Sequence, residues 1–223
     1  MLQILRDIYS DLELANSLGF KGGTALMFFY GLPRFSVDLD FNLLKPEKEN
    51  VVYQKVQSIL LKYGKIDDEA QKFFGPILVL NYGSGERKLK IEISNRRHNS
   101  SYEVKTFMGI NMLVMTAPDM FAHKLCALLD RNEVTNRDIF DCWFFMENRI
   151  PINKNIVEER MKMPLADYLQ NCINTLNSLS NKNLLNAIGD LLEDKMKNFV
   201  RTKLCTETIT LFHFYKEFPI LSS

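Results

Sequence analysis

Residues 21–43 read KGGTALMFFYGLPRFSVDLDFNL, and the fold turns on how this stretch divides. Gly22-Gly23-Thr24 precedes a short apolar run, ALMFFY, which Gly31 and Pro33 stop. A glycine pair ahead of such a run reads as a turn that opens a helix. The free N–H groups and positive dipole end of that helix suit a phosphate. Then the period changes. Ser36-Val37-Asp38-Leu39-Asp40-Phe41-Asn42-Leu43 alternates polar and apolar residues, the pattern of a half-buried strand. Residues two apart on a strand share a face, so Ser36, Asp38 and Asp40 project together while Val37, Leu39 and Phe41 turn to the core. Adjacent carboxylates repel. A divalent ion resolves the repulsion, and Mg²⁺ in particular takes one or two carboxylates together with phosphate oxygens and water.

Working outward, residues 2–18 place Leu2, Leu5, Ile8 and Leu12 at helical spacing, with Gly19 positioned to end the helix. Residues 47–63 read as a second helix and IDDEAQ, residues 66–71, as a polar connection. Strands follow at 77–82, at 88–94 beyond a Gly83-Ser84-Gly85 turn, and in the region 102–115 with a turn near Gly109. The strand KLKIEIS faces Leu89, Ile91 and Ile93 inward and leaves Lys90, Glu92 and Ser94 on the other side. Thr116-Ala117-Pro118-Asp119 opens a helical half, with proline inside the first turn. Helices are expected near 119–130, 136–148, 155–178, 181–198 and 202–216. The chain therefore reads as α+β, an α/β domain over 1–115 followed by an all-helical domain over 116–223. A glycine turn, a paired acid on one strand and a lone acid on a later strand are the parts of two-metal nucleotidyl transfer.

Composition narrows the partners. The 223 residues are 46% hydrophobic and 25% charged, and 28 basic against 27 acidic residues leave a formal charge of +1. No global field draws the chain to nucleic acid or to a membrane, so any polyanion must be met by local clusters. Arg87, Lys88, Lys90, Arg96, Arg97, His98 and Lys105 form one such cluster around Glu92; Lys195, Lys197, Arg201 and Lys203 form another. Either is a solvated face or a surface tracking an RNA backbone, and Arg96-Arg97 make the first the better RNA candidate. No stretch reaches the roughly 20 apolar residues of a spanning helix. The N-terminus mixes charge into its apolar positions, unlike a signal peptide. Cys126, Cys142, Cys172 and Cys205 lack metal-ligand spacing and read as reduced, buried thiols of a cytoplasmic protein. His98, His123 and His213 are isolated, which argues against zinc.

The strings KGGTAL at 21–26 and RFSVDLDF at 34–41, then HKLCAL at 123–128 with Arg131, and RDIFD at 137–141, together resemble the AbiEii/AbiGii toxin family of nucleotidyltransferases. The resemblance covers about residues 20–145. It implies a DNA polymerase β-like fold, a mixed sheet with flanking helices followed by an all-helical C-terminal domain. It also implies the toxin half of a type IV toxin–antitoxin, or abortive-infection, system, with a cognate antitoxin as partner. The family's first motif falls on Gly22, Gly23, Ser36, Asp38 and Asp40, with Thr24 adjoining, and its second on Glu92. The third falls on Lys124 and the fourth on Asp138 and Asp141.

In those roles Asp38, Asp40 and Glu92 hold Mg²⁺ or Mn²⁺, and the glycine turn with Ser36 holds the phosphates of an NTP. Arg34 is a further candidate phosphate contact. Lys124 lies in the apolar helix AHKLCALL, where an unpartnered ammonium is costly; a triphosphate would be its partner. Asp138 and Asp141 share a helical face, one reaching Lys124, the nucleotide or the metal shell and the other pairing with Arg131 or Arg137. The expected reaction moves an NMP to an acceptor hydroxyl, with the 3′ end of tRNA as the acceptor. The rival readings are transfer to a protein or small molecule, and a non-catalytic NTP-binding module.

Overall fold

The computed structural model describes residues 1–223 other than 73, 84, 86, 131, 132, 180–184 and 223, and not the side chains of Gln71 and Lys72. Chain contacts divide it into two compact units, Met1–Gly31 with Phe35–Met115, and Leu32–Arg34 with Thr116–Ser223.

The first unit is built on a seven-stranded mixed sheet. Its strands are β1 (Leu18–Lys21), β2 (Leu39–Leu43), β3 (Lys65–Lys72), β4 (Gly75–Asn81), β5 (Leu89–Ser94), β6 (Tyr102–Phe107) and β7 (Ile110–Met115), in the order β3-β4-β5-β2-β1-β7-β6. β2 runs parallel to β5 and antiparallel to β1, while β1 and β7 are parallel. Helices α1 (Leu2–Ser10), α2 (Leu12–Ala15), α3 (Gly22–Phe29) and α4 (Glu49–Leu60) complete the unit. The core gathers Ile4, Leu5 and Ile8 from α1, Phe20 and Phe41 from the central strands, and Ile91 and Val114, all fully buried. Tyr9 of α1 donates its hydroxyl to the Leu18 and Leu113 carbonyls, tying helix to sheet.

Four expectations fail here. The helix over 2–18 breaks at Asp11, whose carboxylate accepts from Glu13 N and Leu14 N and so starts α2 as its N-cap. Gly19 does not end a helix; it lies within β1, where a Cβ would stand 2.2 Å from the Tyr102 ring. Residues 66–71 are not a connection but part of β3. As an edge strand, β3 pairs on one side with β4 and carries exposed Asp67, Asp68 and Glu69, the charges that keep such an edge from pairing with another chain. The strand expected over 36–43 begins only at Leu39, and Val37 is exposed rather than in the core. The hairpin turn falls at Met108-Gly109, both at positive φ. Ser84 of the Gly83-Ser84-Gly85 turn lies outside the described residues.

The second unit is helical: α5 (Ala117–Asp130), α6 (Asn136–Glu147), α7 (Lys154–Met161), α8 (Leu165–Ser178), α9 (Asp194–Thr202) and α10 (Leu204–Glu217). Phe121 stacks on Phe145 with centroids 4.9 Å apart and meets Tyr215 edge-on, which packs α5, α6 and α10 around aromatic rings. The expected helix over 155–178 is two helices. Lys162 takes the left-handed conformation that closes α7, Pro164 follows, and Glu158 accepts from Leu165 N to start α8. The helix over 181–198 also fails. Residues 181–184 lie outside the described residues, Leu185–Ile188 form a turn, and α9 starts at Asp194. None of the described helices is long and apolar enough to cross a membrane.

Candidate active site

In the first unit the chemistry collects where β1 ends and α3 begins. Gly22 has φ +80, and a Cβ there would lie 2.2 Å from Asp40 Oδ2. Glycine is therefore required twice, for the left-handed backbone and for the close approach of a carboxylate. The β1–β2 register sets Lys21 opposite Asp40, and the β2–β5 register sets Asp40 opposite Glu92. Sheet pairing thus joins two acids that lie 52 positions apart in sequence (92 minus 40). Asp38 precedes the strand. Its carbonyl accepts the hydroxyl of Thr24, a fully buried side chain in the first turn of α3. Thr24 accordingly positions the Asp38 backbone, its hydroxyl buried and engaged. Ser36 also precedes β2, so the shared strand face expected for Ser36, Asp38 and Asp40 does not extend to Ser36 and Asp38.

Lys90 stands among these acids. Its ammonium is 3.3 Å from Glu92 Oε2, and both side chains are 39% exposed. Burial pulls this ammonium's pKa down, but the charges of Asp40, Glu92 and Asp38 outweigh it and raise the lysine above its ordinary value. Among the described residues, no three His, Cys, Asp or Glu side chains converge closely enough to hold a metal ion as they stand. The donor set nevertheless suits a hard divalent cation, being all carboxylate oxygen. The bare Gly22 backbone leaves Asp40 its room, and the Lys90 ammonium is already paired with Glu92.

The second unit holds a different arrangement. Asp141 of α6 is fully buried and receives Arg34 in a bidentate fork, Nε to Oδ1 at 2.7 Å and a terminal nitrogen to Oδ2 at 2.8 Å. Lys124 of α5 binds the same Oδ2 at 2.8 Å and is 20% exposed. Burial alone would raise the Asp141 carboxyl; the charges of Lys124 and Arg34, with their hydrogen bonds, prevail and hold it at about 2. Lys124 thus has a carboxylate partner in Asp141, and Arg34, 6% exposed, is engaged by the same carboxylate. Asp138 is also buried. It accepts the Thr135 hydroxyl while its own N–H donates to Thr135 Oγ1, a reciprocal cap at the start of α6. Of the two acids, Asp141 is the one that holds Lys124. Arg131 lies outside the described residues.

Other candidates resolve simply. His123 Nδ1 meets Arg160 at 2.9 Å. Cys126, Cys142 and Cys172 are buried, and burial pushes all three thiols up; Cys205 is half-buried. In the basic cluster Lys88 pairs with Asp67 at 2.8 Å and Lys105 with Glu103 at 3.0 Å. Arg96 lies 3.8 Å over the Phe74 ring, and Arg96 and Arg97 are exposed. Two roles escaped sequence reasoning, those of Arg34 and Lys90. The second was signalled by the spacing of Lys90 and Glu92 on one alternating strand. The first had only a weak cue, an arginine hemmed between Leu32-Pro33 and Phe35.

A mixed sheet that carries acids on adjacent strands beside a glycine-opened helix, joined to a helical region, defines a nucleotidyltransferase of the polymerase β-like class. Residues 3–204 match the family described as nucleotidyl transferase AbiEii toxin, type IV TA system, and the chain belongs to that family. Membership makes it a nucleotidyltransferase and implies an NTP substrate and an antitoxin partner. Among solved structures, JHP933 from Helicobacter pylori is similar at 22% identity and a TM-score of 0.62, covering 98% of this chain and 90% of that one. A second H. pylori structure, described as a nucleotidyltransferase, aligns at 21% identity and 0.64, covering 98% and 92%. A nucleotidyltransferase-like antigen of Paracoccidioides brasiliensis aligns at 13% and 0.51, covering 85% and 92%. These likenesses concern the fold. No curated protein matches the chain.

Proposed function

We propose that this toxin transfers an NMP from an NTP to the 3′ end of tRNA, using Mg²⁺ or Mn²⁺ at Asp38, Asp40 and Glu92. The observation that carries the proposal is the packing of Asp40 onto Gly22 at the first turn of α3, with Glu92 in register on the next strand. A divalent cation bound there would neutralise phosphate charge and favour ionisation of the attacking hydroxyl. The chain's own groups do the remainder. The backbone N–H groups of Gly22 and Gly23 hold phosphate oxygens, with Ser36 nearby in sequence. Lys124, held in place by Asp141, meets the triphosphate charge. Asp40 or Glu92 takes up the hydroxyl proton. The acceptor oxygen forms a bond to the α-phosphorus, the bond to the bridging oxygen breaks, and pyrophosphate leaves. Arg96 and Arg97, exposed beyond the end of β5, would track the RNA backbone. We further place the protein in the cytoplasm, restrained by its antitoxin.

The test is incubation of the purified protein with bulk tRNA, Mg²⁺ and each α-labelled NTP. Label on tRNA is expected, lost with Asp40→Asn. Label on protein or on a small molecule instead would favour the rival acceptors, and NTP binding without turnover would favour a binding module.

A further inference from the structure

Lys90 has a position that the transfer reaction does not require. It lies on β5 two residues before Glu92, so the two side chains leave the same face of the strand. Its Nζ reaches Glu92 Oε2 at 3.3 Å, and the charges of Asp40 and Asp38 act on the ammonium as well. Glu92 is in register with Asp40, so the ammonium is paired with one of two carboxylates carried by neighbouring strands. The pair is long, and each side chain is 39% exposed. A lysine on a flexible four-carbon stem leaves such a contact at little cost, unlike a buried, forked arginine.

We propose that Lys90 is a tethered counter-ion of the carboxylate site, displaced when a divalent cation enters, so that it sets how tightly that cation is held. This rests on the metal reading given above. Without Lys90, Glu92 would stand in register with Asp40 without its counter-charge, and the two carboxylates would repel. With it, the site is neutralised in the absence of metal, and a metal ion must outcompete an ammonium that cannot diffuse away. Lys90 is thus a positioning residue, and its effect is on affinity for the ion rather than on the reacting atoms.

The experiment is a Mn²⁺ titration of the full chain followed by electron paramagnetic resonance, with no nucleotide present. The wild type is compared with Lys90→Met, Lys90→Gln, Lys90→Arg and Asp40→Asn. Removing a unit positive charge a few ångströms from a divalent ion, even at high dielectric, tightens binding about tenfold. Lys90→Met and Lys90→Gln should therefore bind Mn²⁺ about tenfold more tightly than wild type, and Lys90→Arg should stay within about twofold of it. Either neutral variant suffices if the other folds poorly, and both should gain more in melting temperature from Mn²⁺ than the wild type does. Unchanged or weaker binding by the neutral variants, with Asp40→Asn still abolishing wild-type binding, overturns the role of Lys90 and leaves the metal reading intact. Wild-type Mn²⁺ binding that is absent, or indifferent to Asp40→Asn, overturns both.

Discussion

Two lysine–carboxylate pairs divide the molecule's chemistry. Lys124 and Asp141 in the helical unit are 2.8 Å apart, with the acid fully buried and gripped again by Arg34. Lys90 and Glu92 in the sheet unit are 3.3 Å apart and half open to water. The first acid has lost its solvent and can be satisfied only by its two cations, so the arrangement is fixed at folding. The second keeps solvent on both partners, so its cation is exchangeable. The same residue types thus serve permanence in one place and replaceability in the other, and burial decides which.

The largest effect should come from breaking the buried arrangement. Asp141→Ala leaves Arg34 and Lys124 without their counter-charge and should cost about 3–5 kcal/mol in urea denaturation. Next, Asp40→Asn should lower NMP transfer about 10²–10³-fold, near 3–4 kcal/mol of transition-state stabilisation, while moving the urea midpoint little. If that substitution unfolded the protein as Asp141→Ala should, the contrast between the units would collapse. Gly22→Ala sharpens it from the backbone side. Forcing a Cβ onto a residue at φ +80 and against Asp40 should cost about 2 kcal/mol and also depress transfer, because the carboxylate must move.

Acid should separate the units as well. Burial with two cations holds Asp141 at about 2, below its unfolded value of 3.8, so its contribution is present above pH 3.8 and is lost as pH falls through 2. Thermal melts between pH 5 and pH 2 should show this loss in the wild type and not in Asp141→Ala. Smallest of all, Lys88→Ala, which removes an exposed partner of Asp67, should leave the urea midpoint unmoved.

Much of the sheet unit was legible because its signals are local. The alternation of Leu89, Ile91 and Ile93 against Lys90 and Glu92 sets one face of β5, and Gly22-Gly23 announce the start of α3. What escaped was decided by partners distant in sequence or by competing side chains. β3 looks like a polar loop because its strand character comes from hydrogen bonds to β4, not from its own residues. The break at Asp11 is a side chain capturing two N–H groups inside an otherwise helical period. Arg34 could not be assigned from its neighbours, since its partner Asp141 lies 107 residues away.

That separation bears on how the protein can be cut. Leu32–Arg34 belong to the helical unit although they are encoded within the sheet unit, so neither half is one uninterrupted run of chain. During synthesis Arg34 emerges long before Asp141 exists, and the helical unit can close only after α6 has been made. A fragment beginning at Thr116 would carry Asp141 with Lys124 but without the fork that completes it. A cut between Met115 and Thr116 would therefore leave two dependent pieces, and a split version of this toxin should regain its fold only when both are present together.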